Sequence, residues 1–130
     1  MMIIAVSTGI AVSACAQVKV PSAVKSAFEK EYPSTKVKWE KEGSNYEAGF
    51  EQKGHEMSVV YTLAGVATEK EVEIAVIELP KAVRDYVSQH YKGAKIKEAA
   101  KITKSNGEVQ YEAEVNGKDI LVTPNGGLIK

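Results

Sequence analysis

Apolar residues in this chain follow two periods, and the switch between them happens twice. Val20, Val24, Ala27 and Phe28 fall on one helical face, and so do Leu79, Ala82, Val83, Tyr86 and Val87. Pro21 and Pro80 suit a first helical position, where a missing N–H costs nothing. Pro33 stops the first helix and Gly93 the second. After each helix the period drops to two. Lys36–Glu40, Tyr46–Glu51, Glu56–Val59 and Val109–Val115 alternate apolar and polar side chains, as half-buried strands do. Between them lie Gly43-Ser44-Asn45, Lys53-Gly54, Asn106-Gly107, Asn116-Gly117 and Asn125-Gly126-Gly127. Asn-Gly between alternating runs is a strong hairpin signal, and short turns force neighbouring strands to be antiparallel.

The order of elements also repeats. Val20-Pro21-Ser22-Ala23-Val24-Lys25 matches Leu79-Pro80-Lys81-Ala82-Val83-Arg84 at an offset of 59. Tyr32 and Tyr91, then Val37 and Ile96, keep that offset. Tyr46-Glu47-Ala48 matches Tyr111-Glu112-Ala113 at 65, and Met57-Ser58-Val59 matches Ile120-Leu121-Val122 at 63. Offsets that change at Gly- and Asn-bearing stretches are indels in turns. The expected fold is α+β: a tandem repeat of a helix followed by an antiparallel β-meander. About eight strands form one sheet, and two helices pack on one face. Repeat one spans 20–76 and repeat two 79–130.

The alternation sorts side chains into two faces. The inner face collects Val37, Trp39, Tyr46, Ala48, Phe50, Met57, Val59 and Tyr61 from the first repeat. The second adds Ile96, Ala100, Ile102, Val109, Tyr111, Ala113, Val115, Ile120 and Val122. Each such burial stabilises by about 1.5–3 kcal/mol, and a one-residue slip would turn a whole set to water.

Residues 1–16, MMIIAVSTGIAVSACA, carry no charge. The run is too short to span a bilayer, which takes about 20 apolar residues. It suits a signal peptide, although no positively charged n-region precedes it. Ala14-Cys15-Ala16 is an A-x-A cleavage site leaving Gln17 first, with a mature domain of 17–130. Val12-Ser13-Ala14-Cys15 also resembles a lipoprotein box that would anchor the protein through Cys15. The expected address is therefore periplasmic or secreted, with no transmembrane span in the mature chain. Cys15 is the only cysteine, so the fold rests on its core rather than on disulfides. With 17 basic and 17 acidic residues, the chain lacks the basic surplus that nucleic-acid binding requires.

Together the helix pattern V-P-S-A-V-K-S-A-F-E-K-E-Y-P at 20–33, V-K-W-E at 37–40, Y-E-A-G-F at 46–50, the second L-P-K-A-V at 79–83 and the signal end A-C-A-Q resemble the PepSY-like, β-lactamase-inhibitor-like proteins exported by Bacteroidetes-type bacteria. The resemblance covers nearly the whole mature chain. It implies a tandem helix-plus-sheet fold and a periplasmic or cell-surface address, and it implies no established activity. The named relatives inhibit enzymes through an open sheet face, but no inhibitory motif carries over residue by residue.

Candidate chemistry is sparse. His55 and His90 are the only histidines, too few for a metal site built on converging ligands. Ser58, Ser88 and Ser105 lack a nucleophile-elbow context. Glu47 and Glu51 on a wet strand face read as solvated charges. No cofactor is implied, and the chain reads as a non-enzyme. The informative surface is the outer sheet face, where Lys101 joins Lys36, Lys38, Lys95 and Lys97 against a glutamate-rich second strand in each repeat. Lys36, Lys38, Glu47, Glu51, Lys95, Lys97, Glu112 and Glu114 form the candidate docking face for a periplasmic or envelope protein. A rival reading is a small-ligand carrier or sensor with its site between helices and sheet, near Trp39, Tyr46 and Tyr111.

Overall fold

The computed structural model describes residues 18–130. The segment read as a signal peptide, with both cleavage choices, lies outside them. Two helices and seven strands follow in the order α1 (Ser22–Glu31), β1 (Lys38–Glu42), β2 (Asn45–Gln52), β3 (His55–Tyr61), β4 (Ala67–Ile74), α2 (Lys81–His90), β5 (Ile96–Lys104), β6 (Val109–Val115) and β7 (Lys118–Val122). A short 3-10 turn at Val76–Glu78 leads from β4 into α2.

All seven strands form one antiparallel meander in sequence order. About eight strands were expected. The last stretch makes only a bridge, Val122 to Leu128, supported by the Ile129 N–H donating to the Leu121 carbonyl at 2.8 Å. The turn at Asn125-Gly126-Gly127 therefore returns the chain along β7 without completing a further strand.

The two helices start and stop alike. Pro21 and Pro80 sit at the N-cap rather than inside the helix, with φ/ψ of −57/147° and −55/146°. Their carbonyls accept the first helical N–H groups, from Val24 and Val83. Tyr32 and Tyr91 end the helices, each donating its N–H to the carbonyl four residues back at 2.8 Å.

Which side each residue faces follows from register, because directly opposed residues share a face. Phe50, Met57, Val72, Lys101, Tyr111 and Val122 form one row across the sheet. Phe50 and Met57 belong to the core under α1, and Tyr111 and Val122 pack with the core under α2. Both helices therefore cover the same face. Under α1, Val24 and Phe28 meet Tyr46, Ala48, Met57, Val59 and Tyr61. Phe28 has Tyr32, Trp39 and Phe50 around it at ring-centroid distances of 5.0–5.5 Å. Beneath α2, Val83 and Val87 meet Ala99, Ala113, Val115 and Ile120.

One strand departs from the expected faces. Register shifts between Ile96 and Glu98, so that Ile96 opposes Val115 while Glu98 opposes Glu114. Lys97 is the extra residue of this bulge, and every side chain beyond it changes face. Ala99 joins the core, whereas Ala100 and Ile102, expected there, lie on the opposite face. Lys101, expected outside, lies in the row with Val72 and Tyr111 on the helix side.

Candidate docking face

The second face of the sheet carries no helix among the described residues. Its central row runs Lys38, Gly49, Ser58, Glu71, Ile102, Gln110. The row on one side reads Glu40, Glu47, Val60, Glu69, Lys104. On the other side are Glu73, Ala100, Glu112 and Leu121, with Glu98, Glu114 and Asp119 beyond. Most of the chain's 17 acidic residues thus converge on one face. The bulge in β5 helps to create this, because it moves Lys101 away and brings Ala100 and Ile102 in.

At the centre Glu71 and Glu112 are 4% and 3% exposed. They flank β5 diagonally, Glu71 opposite Ile102 and Glu112 opposite the small Ala100. Two carboxyls buried side by side repel when both are charged, so this arrangement favours a proton on one of them. Both are held well above the ordinary carboxylate range, chiefly by burial. Glu69 adds most to this at Glu71, and Glu71 itself at Glu112. Glu71 Oε1 and Glu112 Oε2 remain without hydrogen-bond partners. Half-buried Glu47 is pushed up to about 8, first by burial and then by Glu42 and Glu71. Burial and neighbouring carboxylates also raise Glu42 and Asp119. Opposing charge is thin. Lys104 pairs with Glu69, Lys97 reaches Glu114 at 4.0 Å, and Lys38 lies 3.8 Å from Glu40.

The eight residues singled out in the sequence fall unevenly on this face. Glu47, Glu51, Glu112 and Glu114 lie on it, with Lys38 at the β1 edge. Lys97 arrives through the bulge. Lys36 and Lys95 are exposed and precede their strands. Sequence reasoning missed the meeting of Glu71 with Glu112. No sequence signal marks it, since it depends on register across three strands.

Other candidate features stand apart. Trp39 and Tyr46 pack under α1 while Tyr111 packs under α2, so the aromatics of the carrier reading do not share one site. A cleft of about 750 Å³ does open between α1 and the start of β1, floored by Phe28, Val37 and Trp39 and rimmed by Lys25, Glu29 and Lys36. His90 stacks on Tyr86 at 4.1 Å and holds the Tyr86 carbonyl through Nδ1 at 2.9 Å, whereas His55 opens β3, exposed. Among the described residues no group of three or more His, Cys, Asp or Glu side chains is placed to hold a metal ion, and no helix is long and apolar enough to cross a membrane.

Known structures share the fold. A "putative periplasmic" protein from Bacteroides eggerthii superposes with a TM-score of 0.77 at 21% identity, over 87% of this chain and 88% of that one. A DUF2874 family protein from Bacteroides uniformis gives 0.75 at 23% identity, over 86% and 88%. A BLIP-like protein from Bacteroides fragilis gives 0.67 at 23% identity, over 88% and 86%. A search of curated proteins by sequence finds no match. The family model described as "Putative beta-lactamase-inhibitor-like, PepSY-like" matches residues 10–68 and again residues 65–130. With the helix pattern, the single antiparallel sheet and both matched segments in place, the chain belongs to the PepSY-like family.

Proposed function

We propose that the protein is an exported, non-catalytic binding module that docks a periplasmic or envelope protein on the carboxylate-rich face of its sheet. The observation that carries this reading is the segregation of charge. Acidic side chains from β1, β2, β4, β6 and β7 gather on the face opposite the helices, with few cations among them. Such a field raises local counter-charge concentration and steers a complementary partner. Part-exposed Leu121 lies among the carboxylates, over a buried apolar layer of Val60, Ala100 and Ile102.

An exported address fits the uncharged 1–16 segment and the description of the B. eggerthii structure as periplasmic. In this reading the mature domain is 17–130, or a lipoprotein if Cys15 becomes the first residue. The family's inhibitor-like description and the BLIP-like neighbour favour a protein as target. Two copies of one helix-plus-meander unit build the module. The matching caps of α1 and α2 and the two matched segments support that origin.

Affinity capture from envelope extract of the native host tests the proposal. Replacing Glu47, Glu51 and Glu114 by Lys, with the fold verified by circular dichroism, is expected to abolish capture of the partner. Undiminished capture would defeat the docking-face reading. The carrier reading keeps one specific support, the cleft beside Trp39. It predicts a change in the fluorescence of this lone tryptophan with envelope extract freed of protein.

A further inference from the structure

The chemistry of the partner can be read from the centre of the same face, and this inference rests on the docking reading above. Two carboxyls, Glu71 and Glu112, are buried side by side over β5 and share a proton, yet each keeps one oxygen without a partner. Most of the strands around them add negative charge, Glu73 in the row of Glu112 among it. Glu42 on β1, Glu47 on β2, Glu69 on β4 and Asp119 on β7 all act on this field. Beside the pair on β6 stand the neutral Gln110 and Glu114, the latter reached by Lys97. On β5 the nearest ion pair is Lys104 with Glu69, and β3 contributes Glu56, Ser58 and Val60 to this face.

The centre is therefore a pair of acceptors filled by the smallest cation available. A carboxylate pair holding a shared proton is also a fork that a planar guanidinium can occupy with two parallel hydrogen bonds. An ammonium can occupy it as a point charge. Buried Val60 and Ile102 beside the carboxyls offer an apolar lining to the methylene stem of such a side chain. Half-exposed Glu47 and Glu69 form the approach to it.

We propose that this face receives a basic segment of the partner protein, and that an arginine or lysine side chain takes the place of the proton shared by Glu71 and Glu112. The O–H bond of the protonated carboxyl breaks, its proton leaves to solvent, and two carboxylates remain to accept N–H donors. Binding is therefore coupled to proton release and strengthens as pH rises.

Calorimetric titration of the purified protein with hexa-arginine, hexalysine and hexaglutamate, in buffers of different ionisation enthalpy, tests this directly. Both cationic peptides are expected to bind with release of about one proton, and the acidic peptide not to bind. Affinity should rise by up to about tenfold per pH unit between about pH 7 and about pH 9. In Glu112→Gln, whose amide copies the protonated acid, the release and the pH dependence disappear and binding weakens several-fold. Glu71→Gln does the same. Glu29→Gln, which removes a charge from the exposed side of α1, leaves both unchanged. Binding without proton release, or equal responses of Glu112→Gln and Glu29→Gln, would overturn the inference. So would proton release on adding calcium chloride when the peptides cause none. Loss of peptide-linked proton release with capture from envelope extract intact counts against this inference alone. Capture that survives reversal of the face counts against the docking reading itself.

Discussion

At the scale of single residues, the shared proton makes stability depend on pH in a direction opposite to that of most carboxylates. Glu71, Glu112 and Glu47 bind protons more tightly folded than unfolded, since burial and neighbouring carboxylates raise all three. Their contribution is fully present below the ordinary carboxylate range and is lost as pH rises through the raised values. For Glu47 that loss runs from the ordinary carboxylate range up to about 8. Each proton released changes stability by about 1.4 kcal/mol per pH unit, or roughly 5 °C in Tm for a domain of this size. The melting temperature should therefore fall progressively from about pH 5 to about pH 9. Glu112→Gln keeps the shape of the protonated acid and removes its titration, so it should flatten the fall by about a third. Scanning calorimetry across this pH range checks the slope, and an unchanged slope would show that Glu112 does not hold the proton. In the sequence Glu71 and Glu112 look like any wet-face glutamates, because alternation reports a face and not a neighbour. Only the registers of β4, β5 and β6 place one carboxyl against the other.

At the scale of elements, the seat of each helix is a turn that has no room for a side chain. Gly65 and Gly126 follow β3 and β7 in matching turns. Thr62 and Thr123 each donate an N–H across the turn and accept the glycine N–H in return. Both glycines have positive φ, +81° and +89°. A Cβ would stand 2.5 Å from the Ala23 carbonyl oxygen in α1 and 2.9 Å from that of Ala82 in α2. Gly54 shares a positive φ, +78°, but faces open space. Gly54→Ala should therefore cost about 1 kcal/mol of backbone strain, and Gly65→Ala about 2–4 kcal/mol because the helix must also shift. Urea unfolding midpoints measure the difference, and equal losses would mean that α1 is not seated on this turn. Much of this layout is legible in the sequence, since both helices, their prolines and the Gly-bearing turns are local signals. The bulge at Lys97 is not. It has no glycine or proline to mark it, and Lys97-Glu98-Ala99-Ala100 fits either face equally well. A pattern of period two extended through it assigns Ala100, Lys101 and Ile102 to the wrong sides. The eighth strand was overcounted for a related reason: Leu128 and Ile129 look like strand residues, but only one bridge forms.

At the scale of the whole molecule, two hydrophobic clusters share a single sheet, which raises the question of whether they fold as one. The cores under α1 and α2 have no buried residue in common. They are joined by the β4–β5 ladder, which runs through six residue pairs from Glu69 with Lys104 to Ile74 with Ala99. Along β4, Val72 packs against the first cluster and Ile74 against the second, so the same strand belongs to both. Loss of either cluster would leave β4 or β5 as an open edge with a bare apolar row, a state that water disfavours. Unfolding should therefore be a single cooperative transition. Leu79→Ala removes a buried side chain from the second cluster only and should cost about 2–5 kcal/mol. Trp39, the only tryptophan, packs against the first cluster and reports on it alone. In Leu79→Ala the Trp39 fluorescence transition in urea should shift to lower denaturant together with the far-ultraviolet circular dichroism. A fluorescence midpoint that stays at the wild-type value while ellipticity falls early would mean that the half containing α1 stands without its neighbour. The carboxylate face, which draws residues from both halves, would then lose its shape before the first cluster melts.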